Sequence, residues 1–296
     1  MKIIIAGGSG FIGTEITRKL IELGYKVSII GKGKPLFSNI EFFNLDLKNK
    51  IKDKNIFNDA EAIINLTGTN IFRRWNKKFK KEIYESRVLT TKNLVETINS
   101  LDKPPKVFIS ASAVGFYGNK QEEEVDENSE PGNDFLSKVC IDWENEVKNL
   151  KNSIRWVILR TAPVLDKERG FIKNLLFFYK LKINPIFGDG QQWFSWIHRE
   201  DIVRAYIFAL ENEKLRGIYN ACSPQSVRYK EFAQNLAQLL NSKITIKIKP
   251  FLLKLFLGEL SMVILSNQKI SSKKIIKEGF NFQFTDIKDA LIDIFK

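Results

Sequence analysis

Short apolar stretches alternate with longer segments along the first half of the chain, and in the longer segments apolar residues recur every three or four positions. The first pattern predicts buried strands at 2–6, 26–30, 41–45, 62–66, 106–110 and 156–159, and the second predicts helices such as 77–99 and 135–150. Strands that alternate with helices are joined by right-handed crossovers. The pattern therefore predicts an α/β fold, a Rossmann-like doubly wound parallel sheet with helices on both faces.

The regular alternation weakens after residue 162, where prolines and the turn at 188–190 mark changes of direction. We therefore predict a Rossmann core over 1–162, to which a stretch at about 186–222 returns. Residues 163–296 supply most of a smaller C-terminal α+β substrate lobe, which includes a C-terminal extension over 249–296.

A glycine-rich turn follows the first predicted strand and precedes the first predicted helix. Its sequence, GGSGFIG over 7–13, fits the spacing of a dinucleotide-binding fingerprint. In that motif, glycines permit the tight turn, the approach of a pyrophosphate and close helix packing, and the helix N-terminus faces the phosphates. The candidate cofactor residues here are Gly7, Gly10, Phe11, Ile12 and Gly13.

The end of the second strand bears on the choice between NAD and NADP. An NAD-preferring site has an acid there to bind the ribose 2′-hydroxyl, whereas this chain has Lys32 and Lys34. Two cations suit a 2′-phosphate, so we predict that NADP(H) is preferred and NAD(H) remains possible. The alternative is that both lysines are solvated loop charges.

Ligands of such sheets bind beyond the carboxyl ends of the strands, so the residues that follow the later strands are further candidates. Asp46 is placed to meet the adenine, and Gly68 lets the backbone approach the cofactor. A hydroxyl beyond the fifth strand can hydrogen-bond a substrate oxygen, although a serine-rich turn is the plainer interpretation. The candidates are Asp46, Leu66, Thr67, Gly68, Ser110 and Ser112.

Charge and cysteine content limit the classes of partner and the cellular compartment that we expect for this protein. The formal net charge is +13, but we interpret the lysines as scattered, with Lys32 and Lys34 as the one local cluster of note. We therefore expect no nucleic-acid partner and no membrane partner. The two cysteines lie far apart without metal-ligand spacing, so we expect no metal site, no disulfide framework and a cytoplasmic location.

Longer motifs carry a resemblance to a known family. The stretches 108–118, 142–144 (DWE) and 188–198 (GDGQQWFSWIH), with the tail from residue 250, resemble the extended short-chain dehydrogenase/reductases of the NAD(P)-dependent epimerase/dehydratase superfamily. Within it they resemble the atypical "epimerase family protein" group, once labelled cell-division inhibitor, which has a distinctive C-terminal extension. The similarity covers nearly the whole chain.

The resemblance implies a catalytic set of Ser, Tyr and Lys, with Tyr and Lys four residues apart on the helix after the fifth strand. Ser112 matches the serine, but the helix has Phe135 and Val139 at that spacing, so the chain departs from the pattern. Tyr117 offers a substitute hydroxyl from another backbone position. We therefore predict Ser112 and Tyr117 as the catalytic candidates.

The remaining candidates concern the substrate and the nicotinamide. Arg87 lies where extended members often place an asparagine near the nicotinamide, although pairing with Glu82 or Glu85 is an equal alternative. Trp193 and Trp196 with Gln192 can line a substrate cleft, against the alternative of core packing. The single histidine, His198, is interpreted as structural.

Together these features predict an NADP-binding oxidoreductase or epimerase-like enzyme acting on a small carbonyl or sugar-like substrate. Because the Tyr-x-x-x-Lys pair is missing, a non-catalytic NADP-binding sensor or scaffold is the alternative. Relatives often pair through helices, so a homodimer is left open.

Overall fold

The apolar stretches form strands and the periodic segments form helices in the computed structural model, which describes residues 1–33 and 35–296. The strands are β1 (Lys2–Ala6), β2 (Lys26–Gly31), β3 (Glu41–Asn44), β4 (Ala60–Asn65), β5 (Val107–Ala113), β6 (Glu124–Val125), β7 (Arg155–Thr161), β8 (Val164–Leu165), β9 (Ile183–Phe187), β10 (Trp193–Phe194), β11 (Ile197–His198), β12 (Gly217–Ala221), β13 (Val227–Arg228), β14 (Ile244–Ile248) and β15 (Lys269–Ile270). The helices are α1 (Phe11–Glu22), α2 (Lys77–Glu85), α3 (Val88–Asn99), α4 (Phe135–Lys148), α5 (Gly170–Lys180), α6 (Arg199–Glu211), α7 (Tyr229–Leu239), α8 (Pro250–Leu257), α9 (Leu260–Ile264), α10 (Lys273–Lys277) and α11 (Ile287–Phe295), with 3₁₀ turns at Lys54–Phe57 and Val114–Tyr117.

Seven of the strands build one sheet in the order β12-β7-β5-β4-β1-β2-β3. Every neighbouring pair in it is parallel. The chain builds outward from β1 in one direction and then resumes from β4 in the other, so a crevice lies beyond the carboxyl ends of β1 and β4, the position at which such sheets bind ligands. The predicted Rossmann-like fold is confirmed.

Alternation along the strands places apolar side chains on both faces of the sheet. Ile3 and Ile5 pack on one face, which α1 and α6 cover, whereas Ile4 and Ala6 pack on the other, which α3 and α4 cover. All four side chains are fully buried. Burying an isoleucine side chain contributes about 1.5–3 kcal/mol, so the first strand is a strong anchor for both layers.

A second apolar cluster forms the core of the C-terminal lobe, where α5, α7, α8 and α11 surround the parallel pair β9–β14. Ile186 and Trp196 belong to this cluster, whereas Ile197 of β11 packs in the cluster beneath the seven-stranded sheet. Helix α6 and strand β12 then complete the Rossmann layer. No helix in residues 1–33 and 35–296 combines the length and apolar character needed to span a bilayer.

Two predicted boundaries are wrong in ways that affect the site. The predicted helix 77–99 is two helices, because the hydroxyl of Ser86 donates to the Ile83 carbonyl and accepts from the Thr69 N–H, which diverts the backbone between them. Strand β5 continues past the predicted end at Ser110 to Ala113, so Ser112 lies within the strand rather than beyond it.

Candidate functional site

The glycine-rich turn forms a cradle at the carboxyl end of β1. Gly7 has a positive φ of 79°, and a Cβ there would lie 2.9 Å from the Leu66 carbonyl oxygen. A Cβ on Gly13 would lie 2.6 Å from the Gly7 carbonyl oxygen, so only glycine lets α1 pack this closely. The turn therefore depends on glycine at both ends.

Helix α1 begins at the open side of this cradle. Gly10 is its exposed N-cap, and the N–H groups of Phe11, Ile12 and Gly13 form the first turn, where a helix has no internal acceptors. The first turn contains no acidic residue. Free donors and the positive end of the helix dipole suit a pyrophosphate, so these residues fit the predicted cofactor.

Lys32 and Asp46 form an ion pair beside the cradle. The Lys32 Nζ atom lies 2.7 Å from Asp46 Oδ2, and the lysine side chain is 60% exposed. Partial burial raises the pKa of Asp46, but the Lys32 ammonium and the Lys48 N–H outweigh it, so the net pKa is lowered. The predicted lysine thus has an exposed charge at the end of β2, while Lys34 lies outside the described residues.

A buried hydrogen-bond network supports the end of β4. Asn65 donates to Thr91 Oγ1 at 2.8 Å and to Ser110 Oγ at 3.3 Å, and its carbonyl oxygen accepts from the Thr67 hydroxyl at 2.7 Å. Ser110 is fully buried, so its hydroxyl serves this network. Leu66 and Thr67 are thereby held beside the Gly7 turn. The sequence pattern did not single out Asn65, although a polar residue that ends a buried strand is a signal for such a role.

Gly68 and Arg87 meet on the far side of this loop. A Cβ on Gly68 would lie 3.0 Å from Arg87 Cζ, and the guanidinium donates to the carbonyls of Thr69 at 3.0 Å and Ile83 at 3.3 Å. The alternative pairing is wrong, because Glu82 pairs with Arg73 and Glu85 with Lys81. Burial lowers the pKa of Arg87 to about 10, which leaves it charged at neutral pH.

Ser112 lies in a buried ion-pair network. Its hydroxyl donates to Glu144 Oε1 at 2.6 Å, and the Glu144 carboxylate accepts two further bonds from the Arg160 guanidinium, each 2.8 Å long. Burial lowers the pKa of Arg160, but Glu144 outweighs it and the net pKa is raised. Because the Ser112 hydroxyl already donates its hydrogen bond to Glu144, it can only accept a hydrogen bond from a substrate.

Glu144 and Arg160 were not among the predicted site residues. Both side chains are 2% exposed. Arg160 follows directly on the buried run Val157–Leu159, and an arginine in such a position requires a buried partner.

Tyr117 belongs to the same network, and its placement argues against the predicted role in proton transfer. Its hydroxyl donates to Asn220 Oδ1 at 2.7 Å and accepts from Arg160 at 3.0 Å. The residue is fully buried, and burial raises the pKa of Tyr117 well above its ordinary value. A hydroxyl so placed ties the turn after β5 to strand β12.

The positions of the missing Tyr and Lys have become apolar. Phe135 contacts Trp75 edge-on with 5.7 Å between ring centroids, and Val139 is buried in the same cluster. This cluster also contains Leu260 of the C-terminal extension. The helix surface that would carry a proton donor therefore packs against other apolar elements.

The three predicted substrate residues have different surroundings. Trp196 is fully buried in the lobe core, so core packing accounts for it, and buried Gln192 donates to the Phe187 carbonyl. Trp193 is half-buried, donates to Glu122 and stacks with the Arg228 guanidinium 3.8 Å from its ring centroid. Of the three residues, only Trp193 has a side chain that a substrate could reach.

His198 is structural, as its position suggested. Its side chain is the N-cap of α6, where Nδ1 accepts from the Glu200 N–H, and its ring packs against the tilted ring of Phe284 with 3.8 Å between centroids. Burial lowers the pKa of His198 to about 4, so it is neutral at physiological pH.

A family model described as "NAD dependent epimerase/dehydratase family" matches residues 3–222. The chain belongs to this family. A second model, a domain of unknown function, matches residues 250–294, which is the predicted extension. The resemblance predicted from the motifs is confirmed.

Curated relatives are similar over almost the whole chain. The chloroplastic epimerase family protein SDR39U1 homolog of Arabidopsis thaliana is 33% identical, covering 98% of this chain and 86% of that protein. Epimerase family protein YfhF of Bacillus subtilis is 32% identical over 98% and 97% of the two chains.

Solved structures are also similar to this chain over almost its whole length. The crystal structure of human epimerase family protein SDR39U1 with NADPH is 28% identical, covers 99% of both chains and has a TM-score of 0.89. UDP-glucose 4-epimerase from Thermus thermophilus, at 20% identity with a TM-score of 0.80 and coverage of 100% and 99%, shares the fold.

Proposed function

We propose that the chain binds NADP(H) and acts as an oxidoreductase or epimerase-like enzyme on a small carbonyl or sugar-like compound. The observation that carries the proposal is the cradle at the β1–β4 crevice, where a Cβ on Gly13 has no room and the first turn of α1 is open. The NADPH of the similar human protein supports the choice of cofactor.

The chain's residues fit this cofactor in distinct ways. The α1 N-terminus would hold the pyrophosphate, and Lys32 would bind the 2′-phosphate. The backbone of Thr67 and Gly68 would lie against the nicotinamide half. NAD(H), which lacks the 2′-phosphate, is the competing ligand. A bound nicotinamide supplies a hydride donor or acceptor. Arg87, charged and lacking a carboxylate partner among the described residues, would bind an oxygen of the cofactor or substrate.

The substrate would lie between the sheet and the C-terminal lobe, with Trp193 at its rim. Ser112 would accept a hydrogen bond from a substrate hydroxyl, because its own proton is donated to Glu144. Water would complete the proton transfer that Tyr117 is too buried to perform. Both cysteines are free, which suits the proposed cytoplasmic location because disulfides are rare in reducing compartments.

A non-catalytic NADP-binding protein is the second candidate. The apolar cluster around Phe135 and the closed network around Ser112 favour it, because neither leaves a proton donor of the usual family type. Such a protein would bind the cofactor and report its redox state, or dock a partner.

The two candidates separate in one assay. Purified protein with NADPH is offered a panel of aldehydes, ketones and nucleotide sugars while NADPH absorbance and sugar configuration are followed. If the protein is an enzyme, we expect turnover that Ser112→Ala lowers. The control Ser110→Ala, on the same face of the same strand, should retain more turnover than Ser112→Ala. Binding without turnover on any member would favour the non-catalytic candidate, and absence of NADPH binding would refute both.

A further inference from the structure

The surface of helices α8 and α9 is apolar on the side that faces solvent. Phe251, Leu255 and Phe256 are 61%, 64% and 70% exposed, and Met262 of α9 is 49% exposed. We call these four residues the extension face. Leu253, on the opposite side of α8, is buried in the lobe core. A cluster of large exposed apolar side chains marks an interaction site, so this face lacks a partner in the isolated chain.

A strongly basic run lies directly beside the extension face. Residues 73–81 read RRWNKKFKK, a local cluster that the view of scattered lysines overlooked. The Arg74 side chain lies about 3.6 Å from the position of a Cβ on Gly258, which ends α8, and Lys80 Nζ lies 2.6 Å from Glu259 Oε2, before α9. The apolar and basic residues therefore share one surface.

Part of this positive charge is not neutralised within the chain. Arg73 pairs with Glu82, Lys80 with Glu259 and Lys81 with Glu85, but Arg74 and Lys78 have no ion-pair partner among the described residues. Both line a cavity of about 370 Å³ at the start of α2. The exposed Lys249 and Lys254 add charge at α8 itself.

We propose that this surface docks on an anionic lipid bilayer, with the extension face at the acyl boundary and Arg74 and Lys78 at the headgroup phosphates. Exposed Phe and Leu beside Lys and Arg is the composition of interfacial helices, and each basic residue near an anionic surface adds attraction. The expectation of no membrane partner rested on scattered lysines, and the 73–81 run removes that basis.

Two other occupants fit the surface less well. A second copy would bring the same lysines against each other in a chain of net charge +13, which opposes pairing through this face. Single-stranded nucleic acid would suit the phenylalanines, but Leu255 and Met262 offer no ring on which a base can stack.

The test is flotation of the full chain with neutral phosphatidylcholine vesicles and with vesicles that also contain phosphatidylglycerol. We expect binding to the anionic vesicles that weakens as salt is added, and at least tenfold weaker binding to the neutral ones. Leu255→Ser should lower the binding, whereas Leu36→Ser, exposed to a similar extent at 69%, should not.

The charge arm compares two double variants with the same change in net charge. Arg74→Gln/Lys78→Gln should weaken binding to anionic vesicles about tenfold or more, and Lys50→Gln/Lys52→Gln far less. Circular dichroism checks that each variant is folded. Equal binding to both vesicle types, equal loss in both double variants, or a concentration-dependent dimer or RNA complex abolished by Leu255→Ser without vesicle binding would overturn the proposal.

Discussion

Two regions at the carboxyl edge of the sheet have opposite characters. Around β1 and the start of α1, the structure is open, with free backbone donors and glycines that admit no side chain. Around β5 and α4, polar groups are buried and bonded to one another, with Ser112, Glu144 and Arg160 at the centre. The first region has the form of a binding site, and the second has the form of a structural core.

The two regions place different demands on the sequence. Cofactor binding depends on backbone geometry, which the glycine turn supplies. Proton transfer depends on side chains of suitable pKa, and here the relevant positions hold Phe135 and Val139. This chain has the backbone geometry that the first region requires, whereas Phe135 and Val139 pack in an apolar cluster with Leu260 of the C-terminal extension.

The largest expected effect comes from removing one member of the buried ion pair. Glu144→Ala leaves the Arg160 charge buried without its partner, which should lower the free energy of unfolding by about 3–5 kcal/mol. Chemical denaturation measures it. The matched control Glu144→Leu/Arg160→Met removes both charges and should cost much less. A cost below about 1 kcal/mol for the single change would mean that the network is not a structural core.

Gly13→Ala tests the open region. The new methyl would meet the Gly7 carbonyl oxygen at 2.6 Å, so we expect about 1–3 kcal/mol of destabilisation and at least tenfold weaker NADPH binding. Gly31→Ala is the control, because its methyl meets nothing nearer than 3.8 Å. Unchanged NADPH affinity in Gly13→Ala would show that the cofactor does not use this cradle.

Ser112→Ala distinguishes a structural from a catalytic serine. Loss of its hydrogen bond to Glu144 should lower the free energy of unfolding by about 1–2 kcal/mol while NADPH affinity stays within twofold. Thermal and chemical unfolding, with cofactor titration, give both values. A fully stable variant that loses turnover would move Ser112 from the structural core to the chemistry.

The smallest effect concerns cofactor choice. Lys32→Glu should weaken NADPH about tenfold, or roughly 1.4 kcal/mol, and leave NADH nearly unchanged, because only NADPH carries the 2′-phosphate. Lys26→Glu, at the opposite end of β2, is the charge-matched control. Equal loss for both cofactors would contradict the assignment of Lys32.

The sequence was sufficient to predict the sheet and the glycine cradle, because continuous apolar stretches and local turn chemistry are encoded within a few residues. The sequence was not sufficient where contacts with distant residues determine a helix boundary or the role of a side chain. The 77–99 pattern is continuous by periodicity, and the break at Ser86 follows from its bond to distant Thr69. The sequence alone suggests a reactive Tyr117 hydroxyl, because it does not show the hydrogen bonds to Arg160 and Asn220 that hold this hydroxyl in the core.

The most direct test of the account is a fluorescence titration of the purified chain with NADPH and with NADH, using the five tryptophans and the nicotinamide as reporters. If the open region is a working dinucleotide site, both signals change on binding and NADPH binds more tightly than NADH. Absence of binding, or tighter binding of NADH, would contradict an NADP site at the β1–β4 crevice.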